Sequence, residues 1–75
     1  MPRIPSLTAA KVIRALKKAG FREDRQKGSH LLLIHPRTKA RTVVPVHPGR
    51  TLKRSLVRAI IADAKLTTEE FLRLL

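Results

Sequence analysis

The sequence predicts a small α+β domain in which two helices pack on one face of a three-stranded antiparallel sheet. Apolar residues recur at helical spacing over about 7–19 and again over about 52–64. Between these segments, patterns of strand length cover residues 22–27, 30–35 and 41–46. Because only short turns separate the three strand patterns, we expect an antiparallel meander with both helices on the same side.

The first helix has recognisable signals at both ends. Ser6 or Thr8 can supply the side-chain oxygen of an N-cap ahead of the apolar stripe. Gly20 suits the left-handed position that follows a helix C-terminus. These signals predict a helix over about 7–19, preceded by a short extended segment over residues 1–5.

Turn and breaker residues delimit the strands. Gly28-Ser29 predicts a tight turn before the apolar run 30–35, and Pro36 ends that run. Pro45 cannot donate a hydrogen bond to a neighbouring strand, so we expect it at a sheet edge or near the end of its strand.

The last third of the chain is predicted to form two helical segments. The second helix runs over about 52–64. Thr67 and Glu70 have the spacing of a capping box, which predicts a short C-terminal helix after it. With 75 residues, the chain is expected to form one domain over 1–75.

The charge is large for so short a chain and is unevenly distributed. Lys and Arg number 17 against 5 Asp and Glu, which gives a net charge of +12. Residues 1–62 carry 15 basic and 2 acidic side chains, or +13, whereas residues 63–75 carry 2 basic and 3 acidic, or −1. Self-repulsion of this size favours a polyanionic or acidic partner over a basic surface that simply faces solvent.

Composition also argues against several classes of protein. The chain has no cysteine, so disulfides and thiolate metal sites are excluded. No apolar run approaches the roughly 20 residues of a membrane span, and the N-terminal residues do not resemble a signal peptide. We therefore expect a cytoplasmic protein without a membrane partner.

Three histidines, His30, His35 and His47, are the candidates for chemistry. Zinc is disfavoured because no cysteine, and no carboxylate after Asp24, completes a set of ligands near them. A serine hydrolase is disfavoured because Ser29 and His30 are neighbours on a strand and point to opposite faces.

RNA cleavage is the third alternative, because RNA carries its own nucleophile, the 2′-hydroxyl. The reaction requires a base, donors for the charge on phosphorus and a proton for the leaving oxygen, so neither a metal nor another cofactor is expected. A histidine, with a reference pKa of about 6.5, suits the base at neutral pH. Arg25 and Lys27 are placed to bind phosphate. From the residues alone, a purely structural role for His30 remains open.

Several landmarks occur together in one order along the chain. They are Gly20-Phe21, then Gln26-Lys27-Gly28-Ser29-His30, then Val44-Pro45-Val46-His47-Pro48-Gly49. In this order and spacing, and in a basic chain of this length, they resemble the HicA toxin family. The resemblance extends from about Ser6 to Phe71.

The resemblance implies a fold similar to double-stranded-RNA-binding domains (dsRBD-like), with the order α-β-β-β-α. It further implies a toxin that cleaves mRNA and is neutralised by a HicB-like antitoxin. His30 occupies the position of the family's catalytic histidine. The role of His47 is not settled by the resemblance, and we favour contact or packing over proton transfer; Ser29 and His47 are kept as auxiliary candidates.

Two positions depart from the family pattern. The second helix of the family usually opens with Gly-Thr-Leu after a basic pair, whereas here Ser55 follows that pair. We expect either that Ser55 caps the helix or that the helix begins earlier, near Thr51. Lys65 stands where a glycine is common.

Six basic residues are predicted to contact the phosphates of the RNA backbone: Lys11, Arg14, Lys27, Arg50, Lys53 and Arg54. If about four engage a single strand at once, the logarithm of affinity should fall with the logarithm of salt concentration at a slope near −3. The alternative function is a non-catalytic RNA-binding module of dsRBD-like fold, which binds shape and phosphates without cutting.

Overall fold

The computed structural model describes residues 3–75 and confirms the predicted α+β class, a dsRBD-like α-β-β-β-α core followed by a short helix. Pro2, part of the predicted extended segment, lies outside the described residues. In chain order the elements are β1 (Leu7–Thr8), α1 (Ala9–Lys18), β2 (Arg22–Lys27), β3 (His30–Ile34), β4 (Arg41–Pro45), β5 (Thr51–Leu52), α2 (Arg54–Asp63) and α3 (Thr68–Arg73).

The three-stranded sheet is the predicted antiparallel meander, in the order β2-β3-β4. Leu31 pairs with Val44 and Leu33 with Thr42, and all four side chains are buried. They form the inner face of the sheet, on which α1 and α2 pack. Pro45 is the last residue of β4, which is an edge strand, as its missing N–H predicts.

A second, two-stranded sheet is absent from the sequence-based prediction. β1 pairs with β5 in antiparallel register, with Leu7 opposite Leu52 and Thr8 opposite Thr51. Two residues are too few to show the alternating pattern of a strand, so only their spatial pairing reveals them. Because β1 leads into α1 and β5 lies just before α2, this pairing brings the starts of the two helices together.

Helix α1 is slightly shorter than the predicted 7–19, because Leu7 and Thr8 are extended in β1. Of the two N-cap candidates, Thr8 is the N-cap. The Thr8 side chain accepts a hydrogen bond from the backbone of Lys11 at 3.4 Å. At the other end Gly20 has φ +106°, and the Phe21 N–H donates to the Leu16 carbonyl at 3.0 Å. This is a Schellman closure, which requires a residue that tolerates positive φ.

Both expectations for the start of α2 are wrong. The helix begins at Arg54, and its N-cap is Lys53, which makes no capping hydrogen bond with its side chain. Thr51 cannot start the helix because it is extended and paired with Thr8 in the small sheet. Ser55 lies inside the first turn, so its backbone lacks the extended conformation that an N-cap requires.

Two further caps order the C-terminal part of the chain. Lys65 has φ +63° and follows α2 in the conformation that glycine usually adopts. The predicted capping box of α3 is confirmed: Thr67 accepts from the backbone of Glu70 at 3.1 Å, and Glu70 accepts from the backbone of Thr67 at 2.8 Å. The hydrogen bond from the Thr67 backbone holds the pKa of the Glu70 carboxyl below its usual value.

One core unites the helices and the inner sheet face. Its largest fully buried side chains are Phe71, Leu16, Leu33 and Ile60. Phe71 extends the core beyond the α-β-β-β-α unit, so α3 is part of the packed structure. Within residues 3–75, no helix has the length and apolar character needed to cross a membrane.

Candidate functional site

A tight hairpin turn places His30 at the first position of β3. Lys27 and His30 are paired across β2 and β3, and Gly28-Ser29 forms the two-residue connection. Gly28 has φ +60°, whereas Ser29 does not have positive φ, which fits a type II′ turn with glycine at its first central position. The Gln26 side-chain amide donates to the Gly28 carbonyl at 3.2 Å and supports the turn from β2.

His30 is exposed and lies on the face of the sheet opposite the helices. Its neighbour Leu31 points into the core, so the alternation of the strand directs His30 outward. It is flanked by Lys27 on β2 and by Pro45 on β4. No hydrogen bond to the His30 ring occurs among the side chains of residues 3–75, so both ring nitrogens are open to a ligand.

The loop that contains His47 is attached to the same end of the sheet. The Val46 N–H donates to the Ser29 carbonyl at 2.6 Å, which extends the pairing of β3 and β4 by one residue. His47 is exposed and lines a groove of about 420 Å³ between this loop and the start of α1, near Thr8 and Ile13. Its place beside the hairpin keeps it an auxiliary candidate.

His35, in contrast, has a structural position. Its Nε2 lies 3.2 Å from the carbonyl oxygen of Ala19, and its Nδ1 accepts from the backbone N–H groups of Arg37 and Thr38 at 3.2 and 3.3 Å. These partners require a proton on Nε2 and a free lone pair on Nδ1. The ring also packs edge-on against Phe21, with 5.2 Å between centroids. His35 therefore ties the end of α1 to the turn between β3 and β4.

The six predicted RNA contacts fall into separate groups. Lys27 faces the same way as His30, since the two are paired. Arg50 lies in the exposed loop after His47, and Lys53 is exposed at the N-cap position of α2. Lys11 and Arg14 line a different groove, of about 290 Å³, beside the C-terminal leucines. All six stay predictions.

Arg54 makes a structural hydrogen bond in addition to carrying a positive charge. Its Nε donates to the Ile4 carbonyl at 2.7 Å, which fixes the segment before β1 against α2. Arg3 and Arg58 line the same groove. A variant at Arg54 will therefore change stability as well as charge, and is a poor probe of RNA binding.

Sequence reasoning did not single out two cations on the sheet, Arg22 and Arg41. Both are exposed, and their cross-strand partner is Ile34 on the face that His30 occupies. Alternation of side chains along β2 could have assigned Arg22 to a face of the sheet, but an irregularity near Asp24 interrupts that alternation.

No group of three or more His, Cys, Asp or Glu residues within residues 3–75 is arranged to hold a metal ion. The geometry instead gives one exposed imidazole next to a lysine, on a molecule of high positive charge. Such a site can accept a proton and bind an anion. These observations define a small basic α+β protein with an exposed histidine beside a lysine on its sheet.

Comparison with protein families identifies the class more closely. The family described as HicA toxin of bacterial toxin-antitoxin matches residues 9–66, which is more than half of the 75-residue chain. The chain belongs to this HicA toxin family. The match includes Gly28, His30 and His47 and ends after α2. A search of curated proteins finds no match.

Proposed function

We propose that this toxin is a metal-independent endoribonuclease that cleaves mRNA, with His30 as its general base. The observation that carries the proposal is the position of His30, exposed at the start of β3 and paired with Lys27. Membership of the HicA toxin family supports it. The proposed site of action is the cytoplasm, where mRNA is translated.

In the proposed reaction, His30 takes the proton of an RNA 2′-hydroxyl. The 2′-oxygen then attacks the adjacent phosphorus, and the bond from phosphorus to the 5′-oxygen breaks. The products are a 2′,3′-cyclic phosphate and a 5′-hydroxyl, whose proton comes from water or from the imidazolium. Lys27, which is paired with His30 across β2 and β3, would stabilise the charge that develops on the phosphate oxygens.

The remaining predicted cations would hold the strand. Arg50, Lys53 and Arg54 follow the His47 loop, and the first turn of α2 has no side-chain cap to occupy its N–H groups. Free N–H groups at a helix N-terminus favour phosphate. Lys11 and Arg14 are proposed as more distant contacts.

A HicB-like antitoxin is the proposed inhibitor. An acidic surface that covers His30 would compete directly with RNA, and complementary charge would make association fast and sensitive to salt. The charge of +12 gives such a partner a strong electrostatic attraction. A complex in which His30 stays open to RNA would contradict this steric mode of inhibition.

The test of catalysis compares wild type, His30→Ala and His47→Ala on one labelled RNA, with and without excess chelator. Loss of a general base costs about 10²–10⁴ in rate, so His30→Ala should be nearly inactive. His47→Ala should keep most activity, and chelator should leave wild type unaffected. Equal thermal stability of the three proteins rules out unfolding as the cause of any loss.

The same assay distinguishes the alternative function from the proposed one. A non-catalytic RNA-binding module of this fold would bind RNA without cutting it, and His30→Ala would behave like wild type. Full activity of His30→Ala would refute the proposed base.

A further inference from the structure

The helices leave one face of the three-stranded sheet uncovered, and this face carries a row of cations. We call it the open sheet face. It comprises Arg22, Arg25 and Lys27 on β2, His30 and Leu32 on β3, and Arg41 and Val43 on β4.

The cross-strand register assigns these residues to one side. Arg25 pairs with Leu32 and Lys27 with His30, whereas the inner residue Leu33 pairs with Glu23. Arg22 and Arg25 are three apart, so a regular strand would direct them to opposite faces. The irregularity between Glu23 and Arg25 adds one residue and returns Arg22 to the open sheet face.

The charge on this face is not compensated. Within residues 3–75 the only ion pair joins Lys17 to Glu23, and Glu23 belongs to the inner side of β2. Asp24 is the extra residue at the irregularity and has no partner on β3. Arg22, Arg25, Lys27 and Arg41 are all exposed. Cations gathered without carboxylate partners form a site for a polyanion.

The spacing of the cations favours a nucleic-acid strand over an acidic protein. Alternate residues of a strand are about 6.6–6.8 Å apart, which is close to the separation of successive phosphates in an extended single strand. The row along β2 ends at Lys27, directly opposite His30. A strand held by this row would therefore pass the imidazole.

We infer that the RNA runs along the open sheet face, with Arg22, Arg25 and Lys27 on its successive phosphates and its scissile phosphate beside His30. This inference rests on the proposed function, which identifies the bound and cleaved strand as RNA. Leu32 and Val43, which is 42% exposed, offer apolar contact to riboses and bases of any identity. The open sheet face has no Phe, Tyr or Trp, so stacking contributes little and affinity depends on phosphate contacts.

The test measures binding of a labelled unstructured RNA over a series of salt concentrations. All proteins carry His30→Ala, so that the RNA is not cleaved during the measurement. The sheet-face variant is Arg22→Gln/Arg25→Gln. The matched control is Arg58→Gln/Arg73→Gln, which removes the same two charges from the exposed surfaces of α2 and α3. Both reduce the net charge equally, so any difference between them reports local contact.

Loss of two phosphate contacts should reduce the magnitude of the salt slope by about 1.4, at about 0.7 for each contact with a single strand. The sheet-face variant should show this reduction and weaker binding to all sequences alike, whereas the control should keep its slope. Equal slopes for the two variants would overturn the inference. Binding of polyglutamate is measured in parallel as a model of an acidic protein. If the sheet-face variant loses polyglutamate binding but keeps RNA binding, the face binds an acidic protein and the inference is also overturned.

Failure of the proposed function is recognised separately. If protein with His30 intact cleaves no RNA, catalysis is refuted, and the salt slopes still report whether RNA contacts the open sheet face. If it cleaves RNA, the sheet-face variant should raise KM more than it lowers kcat.

Discussion

Replacement of His35 should destabilise the protein far more than replacement of either other histidine. His35→Ala removes one hydrogen bond to the Ala19 carbonyl and two from the N–H groups of Arg37 and Thr38. An internal hydrogen bond contributes about 0.5–1.5 kcal/mol, and the two in the exposed turn count at the low end because water replaces them. With the lost contact to Phe21, worth about 0.5–1.5 kcal/mol, the cost is about 2–4 kcal/mol.

The same imidazole explains a second constraint, at Gly20. A Cβ added to Gly20 would lie 2.7 Å from the His35 Nε2, and its φ of +106° disfavours any side chain. Gly20→Ala therefore combines a backbone cost of roughly 1–2 kcal/mol with a steric clash. In a His35→Ala background only the backbone cost remains, so the two substitutions should be coupled by about 1 kcal/mol or more.

Urea denaturation and thermal melting of the four proteins in this cycle measure the coupling. A domain of this size loses about 4–8 °C in Tm for each kcal/mol, so a cost of about 2–4 kcal/mol should lower the Tm of His35→Ala by at least about 8 °C. His47→Ala, at an exposed loop position, is the control and should change Tm by only a few degrees. Equal Tm values for the His35 and His47 variants, or additive effects of Gly20→Ala and His35→Ala, would refute this account of the turn.

Three smaller predictions concern single features of the fold. Thr42→Val should stabilise the protein by about 1 kcal/mol in urea denaturation, because the buried Thr42 hydroxyl has no hydrogen-bond partner within residues 3–75; a loss of stability would contradict this. Lys65→Gly should raise the free energy of unfolding by about 1 kcal/mol by relieving positive φ, whereas the control Lys18→Gly, at the last residue of α1, should lower it. Thr67→Ala should cost about 1 kcal/mol at neutral pH. Because the pKa of Glu70 is lowered in the folded state, its stabilising effect should be complete above the ordinary value of 4.5 and fade as pH falls through the lower folded pKa; an equal loss of stability from Glu70→Ala at neutral pH and in strong acid would contradict that link.

Local rules predicted most of the fold. Helical spacing, strand alternation and turn residues depend on neighbours in sequence, which is why α1, the meander and the capping box of α3 follow from the residues. The pairing of β1 with β5 did not, because it joins segments more than forty residues apart. That pairing also decides where α2 starts, since Thr51 is held in the strand conformation.

The candidate site was predicted in part for the same reason. The Gly28-Ser29 turn and the strand after it fix the orientation of His30, and both are local. The role of His35 depends on contact with Ala19, sixteen residues earlier, which no spacing rule connects to it. The open sheet face depends on the added residue near Asp24, whose effect on the orientation of Arg22 is visible only from the register.

The central claim is that His30 activates the RNA's own 2′-hydroxyl. The most direct measurement places a single 2′-deoxy nucleotide immediately 5′ of a mapped cleavage site, within an otherwise unchanged RNA. Cleavage at that bond should stop while other sites are still cut, and the remaining products should end in 2′,3′-cyclic phosphate. Continued cleavage at the deoxy position would show that another nucleophile attacks the phosphate, and would contradict this mechanism.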